Sequence, residues 1–193
     1  ISTRSDWRGS YQVDVTNSIP LENFAFIDAD NDGDMDLFTF SAGMYSSAGV
    51  QYFENNGESR FTEITGSAHP LNDVELQYPR SMSAADFDGD GDLDLFFSTW
   101  SPNEQTGSDF SIQYLQNQGG NGFVEMTQDD NPFSDISVDL ISAPRFGDVD
   151  GDGDLDAFLN VDREMVLFRN NDGVLEEERA FAHPFHEHYE STL

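Results

Sequence analysis

Cysteine is absent from all 193 residues, which excludes a disulfide framework, thiol chemistry and any thiolate metal site. Basic residues are scarce: 8 Lys and Arg stand against 38 Asp and Glu, a formal charge of −30 with histidine neutral. Such a surface repels nucleic acid and anionic membranes, so neither is an expected partner. No apolar run approaches the roughly 20 residues that span a bilayer, and no secretory hydrophobic segment follows Ile1. The expectation is a soluble chain without membrane insertion, in keeping with a mature or trimmed product. The Asn-x-Ser/Thr sequon is also missing, which removes one hint of a glycosylated ectodomain. Aromatic residues are not scarce. The 17 Phe, 6 Tyr and 2 Trp within a 37% hydrophobic fraction are too many for a disordered acidic chain. A chain of this length can bury a core, so size alone does not demand a metal.

Fifteen of the 38 acids fall in three short clusters. The first is Asp28-Ala-Asp30-Asn-Asp32-Gly33-Asp34-Met-Asp36. The second is Asp86-Phe-Asp88-Gly-Asp90-Gly91-Asp92-Leu-Asp94, and the third Asp148-Val-Asp150-Gly-Asp152-Gly153-Asp154-Leu-Asp156. Their first aspartates are 58 and 62 residues apart. Acids gathered this tightly point to cations as partners, whereas an even spread would indicate only a solubilised surface. Three divalent ions would leave −24, a charge that suits a saline or calcium-rich environment.

An apolar run follows each cluster, Leu37 to Phe40, Leu95 to Phe97 and Ala157 to Leu159, short and aromatic enough to be a buried strand. Farther on, Tyr52 to Gly57, Tyr114 to Gly119 and Leu167 to Gly173 place Asn-Gly, Gln-Gly or Asp-Gly before another apolar stretch, which predicts a closing hairpin. Pro70 and Pro132 each precede the next cluster by sixteen residues, and Pro184 holds the same place. No long helical periodicity and no linker appear. The expected organisation is a single all-β domain over 1–193 with repeats at about 21–70, 79–132 and 141–184. Each repeat should be a β-propeller blade of about four antiparallel strands, giving three full blades plus partial flanking ones, with Trp7 to Thr16 as the closing strand of an earlier blade.

Calcium takes 6 to 8 oxygens at about 2.3–2.6 Å, and carboxylates alternating along a tight loop can supply them. Gly33, Gly91 and Gly153 stand where the chain must turn sharply around an ion. An EF-hand shares the opening of the motif but needs a Glu at position twelve and flanking helices. Position twelve here is Thr39, Phe97 or Leu159 and the flanks read as strands, so the EF-hand is excluded. Magnesium, which prefers few carboxylates and keeps its waters, suits the loops less well.

These loops, the Phe146-Gly147 pair before the third and the Asn-Gly hairpins resemble the FG-GAP repeat family, also described as VCBS repeats, from Phe24 to Arg179. That family builds the propeller head of integrin alpha subunits and many bacterial surface proteins, usually with seven blades. The resemblance implies three calcium ions, one per loop, held by the side chains of Asp28, Asp30, Asp32 and Asp36; Asp86, Asp88, Asp90 and Asp94; and Asp148, Asp150, Asp152 and Asp156. It gives Asp34, Asp92 and Asp154 a backbone-carbonyl role. It also implies an extracellular or cell-surface location.

His183, His186 and His188 read as an exposed tail or the start of an incomplete blade rather than as a transition-metal site. His69 reads as a loop residue before Pro70. Trp7, Trp100 and the tyrosines suit either sugar stacking or packing between blades. No G-x-S-x-G elbow, phosphate loop or zinc-protease motif is present, so no enzymatic activity is expected. The leading expectation is a calcium-rigidified module for adhesion or assembly, with a protein or glycan ligand on one face. The alternatives are a carbohydrate-binding lectin and an accessory domain of a polysaccharide-active enzyme. The residues are further expected to be either part of a longer propeller or a subunit that self-associates, with Phe185 to Leu193 completing a blade begun by Tyr11 to Thr16.

Overall fold

A computed structural model describes residues 23–40, 49–57, 60–76, 78–101, 109–136, 142–161 and 164–178. Trp7, the segment from Tyr11 to Thr16, Pro184, the three C-terminal histidines and the stretch from Phe185 to Leu193 lie outside them. The described residues form twelve strands in three sheets of four. The first sheet contains β1 (Phe24–Ile27), β2 (Asp36–Thr39), β3 (Gln51–Asn55) and β4 (Phe61–Ile64). The second contains β5 (Pro79–Ala85), β6 (Asp94–Ser101), β7 (Asp109–Asn117) and β8 (Phe123–Met126). The third contains β9 (Arg145–Gly147), β10 (Asp156–Val161), β11 (Glu164–Asn171) and β12 (Val174–Glu178).

Each sheet is an antiparallel meander whose strands lie side by side in chain order. The expected four-stranded blades are therefore present. The described residues contain only two short 3-10 turns, Gly66–Ala68 and Gln128–Asp130, and no helix long and apolar enough to cross a membrane.

Packing follows from the alternation of side chains along a strand. Leu95 and Phe97 of β6 point toward the first sheet, where they meet Ile27, Phe38 and Phe40. Phe96, between them, points the other way and joins Phe87 and Phe133, from the connections that flank the second sheet, and Leu159 and Phe168 of the third sheet. Both faces of β6 are thus covered, which is why Leu95-Phe96-Phe97 is an unbroken apolar run with no exposure. Strand β10 has one such face. Ala157, Leu159 and Val161 are buried toward the second sheet, while Phe158 is only half-buried.

Rings organise the second interface. Phe96 stacks on Tyr114 with centroids 4.7 Å apart and an interplanar angle of 10°, and meets Phe146 at 4.6 Å. Phe146 of the Phe146-Gly147 pair therefore packs, partly buried, against the core between sheets. The first strands β1, β5 and β9 together line one cavity, to which Phe26, Met82 and Phe146 contribute. That arrangement of three blades around their innermost strands is propeller-like. Each Asp cluster joins the first strand of a sheet to its second, so all three loops occupy the same place in their blades.

Candidate metal centres

Backbone geometry first shapes each loop. Gly33, Gly91 and Gly153 have φ of 95°, 99° and 106°, and position four also turns left-handed, with Asn31 at 60°, Gly89 at 75° and Gly151 at 82°. Only glycine, or asparagine at a cost, accepts those angles readily. The requirement at position four escaped the sequence reading, although Asn, Gly and Gly at that place were its signal.

Carboxylates then fold the loop onto itself. Asp28 accepts hydrogen bonds from the amides of Asp32 at 3.0 Å and Gly33 at 2.9 Å, while Asp32 accepts from the amide of Asp34 at 2.9 Å. The second loop repeats this with Asp86 accepting from Gly91 at 3.1 Å and Asp90 from Asp92 at 2.9 Å. In the third, Asp148 accepts from Gly151 at 2.7 Å and Asp152 from Asp154 at 2.9 Å.

The outcome is one carboxylate triplet per loop. Oxygens of Asp28, Asp30 and Asp32, of Asp86, Asp88 and Asp90, and of Asp148, Asp150 and Asp152 lie within 4.8 Å of one another inside each set. An all-oxygen donor set of that span fits a hard divalent cation. Asp86 Oδ1 is hidden from solvent and accepts no hydrogen bond, as an atom kept for an ion would be. Crowding shows in the acidities. Partial desolvation of this exposed carboxylate, then the charges of Asp36 and Asp32, push the Asp30 pKa up against an opposing hydrogen bond, with Glu54 adding to the rise. For Asp90 the hydrogen bond from Asp92 lowers the pKa, but desolvation and the neighbouring aspartates outweigh it and the net shift is upward.

Position nine lies beneath the triplet. Asp36, Asp94 and Asp156 have no exposure at all. Asp36 accepts from Ala29 N at 3.0 Å, the Tyr52 hydroxyl at 2.8 Å and Asn55 N at 2.8 Å. Asp94 does the same with Phe87 N at 3.4 Å, the Tyr114 hydroxyl at 3.0 Å and Asn117 N at 2.9 Å. Burial raises its pKa to about 6 despite those bonds. Asp156 accepts from Val149 N and Asn170 N, both at 2.9 Å. These carboxylates tie the loop to the third strand of its own sheet.

Position seven faces the hairpin. Asp154 accepts from Asp172 N at 2.9 Å, and the Asp34 and Asp92 carboxylates lie against Gly57 and Gly119. Sequence reasoning also missed the partner of position eight. Asn55, Asn117 and Asn170 donate side-chain hydrogen bonds to the carbonyls of Met35, Leu93 and Leu155 at 3.1–3.3 Å. The asparagine of each hairpin signal thus also braces the loop. His69 is pinned as a neutral tautomer, Nε2 donating to Val50 O at 2.9 Å and Nδ1 accepting from Leu71 N at 3.0 Å, with burial lowering its pKa. Trp100 packs edge-on against Tyr78 and lies 5.2 Å beneath Arg80.

The second sheet buttresses the first loop. A Cβ on Gly120, φ 82°, would stand 2.5 Å from the Asp30 carbonyl oxygen, whereas one on Gly173, φ 85°, would meet nothing within 4 Å. Both alanine variants carry the same left-handed strain, so their difference isolates the contact. Gly120→Ala is expected to cost about 1–3 kcal/mol more than Gly173→Ala, read as the gap between their melting temperatures. Equal melting would show that hairpin and loop are not in contact.

Comparison with known proteins places residues 28–97 under a family model described as FG-GAP-like repeat. That match covers the first loop, the second loop and the strands between them. No curated protein matches the sequence significantly. Among solved structures the chain is similar to an Agrocybe aegerita lectin described as recognising non-reducing terminal N-acetylglucosamine. The identity is 14% and the TM-score 0.35, over 81% of this chain and 51% of that one. The chain thus spans about half of that lectin's length, and a likeness so distant carries no argument.

Proposed function

Starting from the FG-GAP-like repeat that residues 28–97 carry, we propose that this chain is a calcium-binding, propeller-like module of the cell exterior. Its blades are made rigid by one ion per loop, and its role is structural, in adhesion or assembly, rather than enzymatic. The observation that carries the calcium assignment is the recurrence of one carboxylate triplet, within 4.8 Å, at the same place in three sheets. Single acidic turns are common on protein surfaces, but three in one register around left-handed turns favour a shared ligand. Calcium suits the set because it accepts many carboxylates in a flexible shell, whereas magnesium demands near-octahedral geometry and retains waters. The adhesion role follows from analogy of fold alone.

Counting bound ions tests the assignment. Asp90→Ala is expected to remove the second-loop ion, while Asp92→Ala, whose carboxylate lies against the Gly119 turn, should retain it. Equilibrium dialysis with elemental analysis reads both. Equal loss in the two variants, or no bound calcium in the unaltered chain, would overturn the proposal.

A further inference from the structure

The three loops are alike in their aspartates but not in the side chain that reaches them from the third strand. Antiparallel register pairs Leu37 with Phe53, Leu95 with Leu115 and Ala157 with Phe168. The next residue in each blade is therefore equivalent: Glu54, Gln116 and Arg169. All three lie beside position three, and two of them touch it. Glu54 lines one cavity with Asp30, Gln116 Nε2 donates a hydrogen bond to Asp88 Oδ2, and Arg169 Nη1 lies 3.0 Å from Asp150 Oδ2. The charge at one structural position thus runs from negative through neutral to positive.

A second substitution accompanies the third. Where the first two blades have Tyr52 and Tyr114, whose hydroxyls donate to the position-nine aspartate, the third has Leu167, which has no donor. Arg169 covers that place as well, with Nη1 3.7 Å from Asp156 Oδ2. Its contacts through Nη1 are of charge with charge rather than aligned hydrogen bonds, while Nε donates to Glu178 at 2.8 Å and holds the side chain in place. The guanidinium therefore stands between positions three and nine of the third loop, as a cation bridging those carboxylates would.

We infer that Arg169 is the built-in cation of the third loop, so that the three sites are graded: the first, with Glu54, binds calcium most tightly, the second, with Gln116, next, and the third most weakly. The grading rests on the calcium assignment above and adds to it which residues set the affinity. A fixed positive charge inside a site repels an incoming divalent ion and competes for its carboxylates, an effect larger here than at a fully solvated surface.

Calcium titration by calorimetry, with ion counting, tests this in the unaltered chain, Arg169→Gln and Gln116→Arg. The expected result is two tight sites and one at least tenfold weaker in the unaltered chain. Arg169→Gln should bring the weak site within a few-fold of the second, and Gln116→Arg should weaken one tight site by tenfold or more. Melting temperatures give an independent reading. Arg169→Gln should melt lower than the unaltered chain in chelator, having lost its internal cation, and should recover in millimolar calcium. Three equivalent sites, unchanged by either substitution, would overturn the grading and leave the calcium assignment intact. Absence of calcium from the unaltered chain and from Arg169→Gln alike would defeat both.

Discussion

Chelating calcium is expected to lower the melting temperature by about 10–20 °C relative to calcium a hundredfold above its dissociation constant. At that excess an ion that binds only the folded state contributes about 2.7 kcal/mol per site. Two well-occupied loops therefore supply about 5 kcal/mol, and for a domain of this size each kcal/mol moves the midpoint by about 2–4 °C. The physical source is mutual repulsion. Three carboxylates within 4.8 Å in every loop destabilise the folded state until a cation neutralises them. Arg169 supplies part of that neutralisation in the third loop, so the loss should come mainly from the first two. Scanning calorimetry in excess chelator and in calcium decides the matter. Coincident melts would show that the ion has no structural part.

Removing the carboxylate beneath a loop should cost nearly as much without any change in ion concentration. Asp94→Ala would strand the amides of Phe87 and Asn117 and the hydroxyl of Tyr114 in a place with no exposure. A buried carboxylate that accepts several hydrogen bonds is costly to delete because its partners keep their desolvation penalty, and a loss of about 3–5 kcal/mol is expected even in chelator. Tyr114→Phe removes one donor and leaves the acceptor otherwise satisfied, so it should cost about 1.5–3 kcal/mol. Denaturant unfolding in chelator compares the two. If Asp94→Ala unfolds at the same midpoint as the unaltered chain, the aspartate is not a structural pin.

The features visible in the sequence are local ones. Asp-x-Asp-x-Asp-Gly folds within nine residues, because carboxylates at positions one, three and five accept amides only two to five residues away. Such loops announce themselves wherever they occur. The apolar runs after them are equally plain, since Leu95-Phe96-Phe97 alternates between two cores and must be apolar at every step. Asp172-Gly173, with φ of 51° and 85°, takes the angles that its residue types favour in a two-residue hairpin. From such elements the four-stranded blades and their repetition could be read without coordinates.

What the sequence by itself determined is thus the repeat, the strands and the three clusters of carboxylates, each settled by residues close along the chain. Only the tertiary structure decided what surrounds those clusters. That Asp94 is a buried pin rather than one more exposed acid depends on Asn117 and Tyr114, 23 and 20 residues away. That Gly120 must be glycine depends on Asp30 in another sheet, and that Arg169 stands in the third loop depends on the pairing of β10 with β11 and on Glu178 of β12. A contact across strands is set by register, and a shift of one residue would send Arg169 to the opposite face. The aspartates alone make the loops look like three copies of one site, and the strand beside each of them makes the sites unequal.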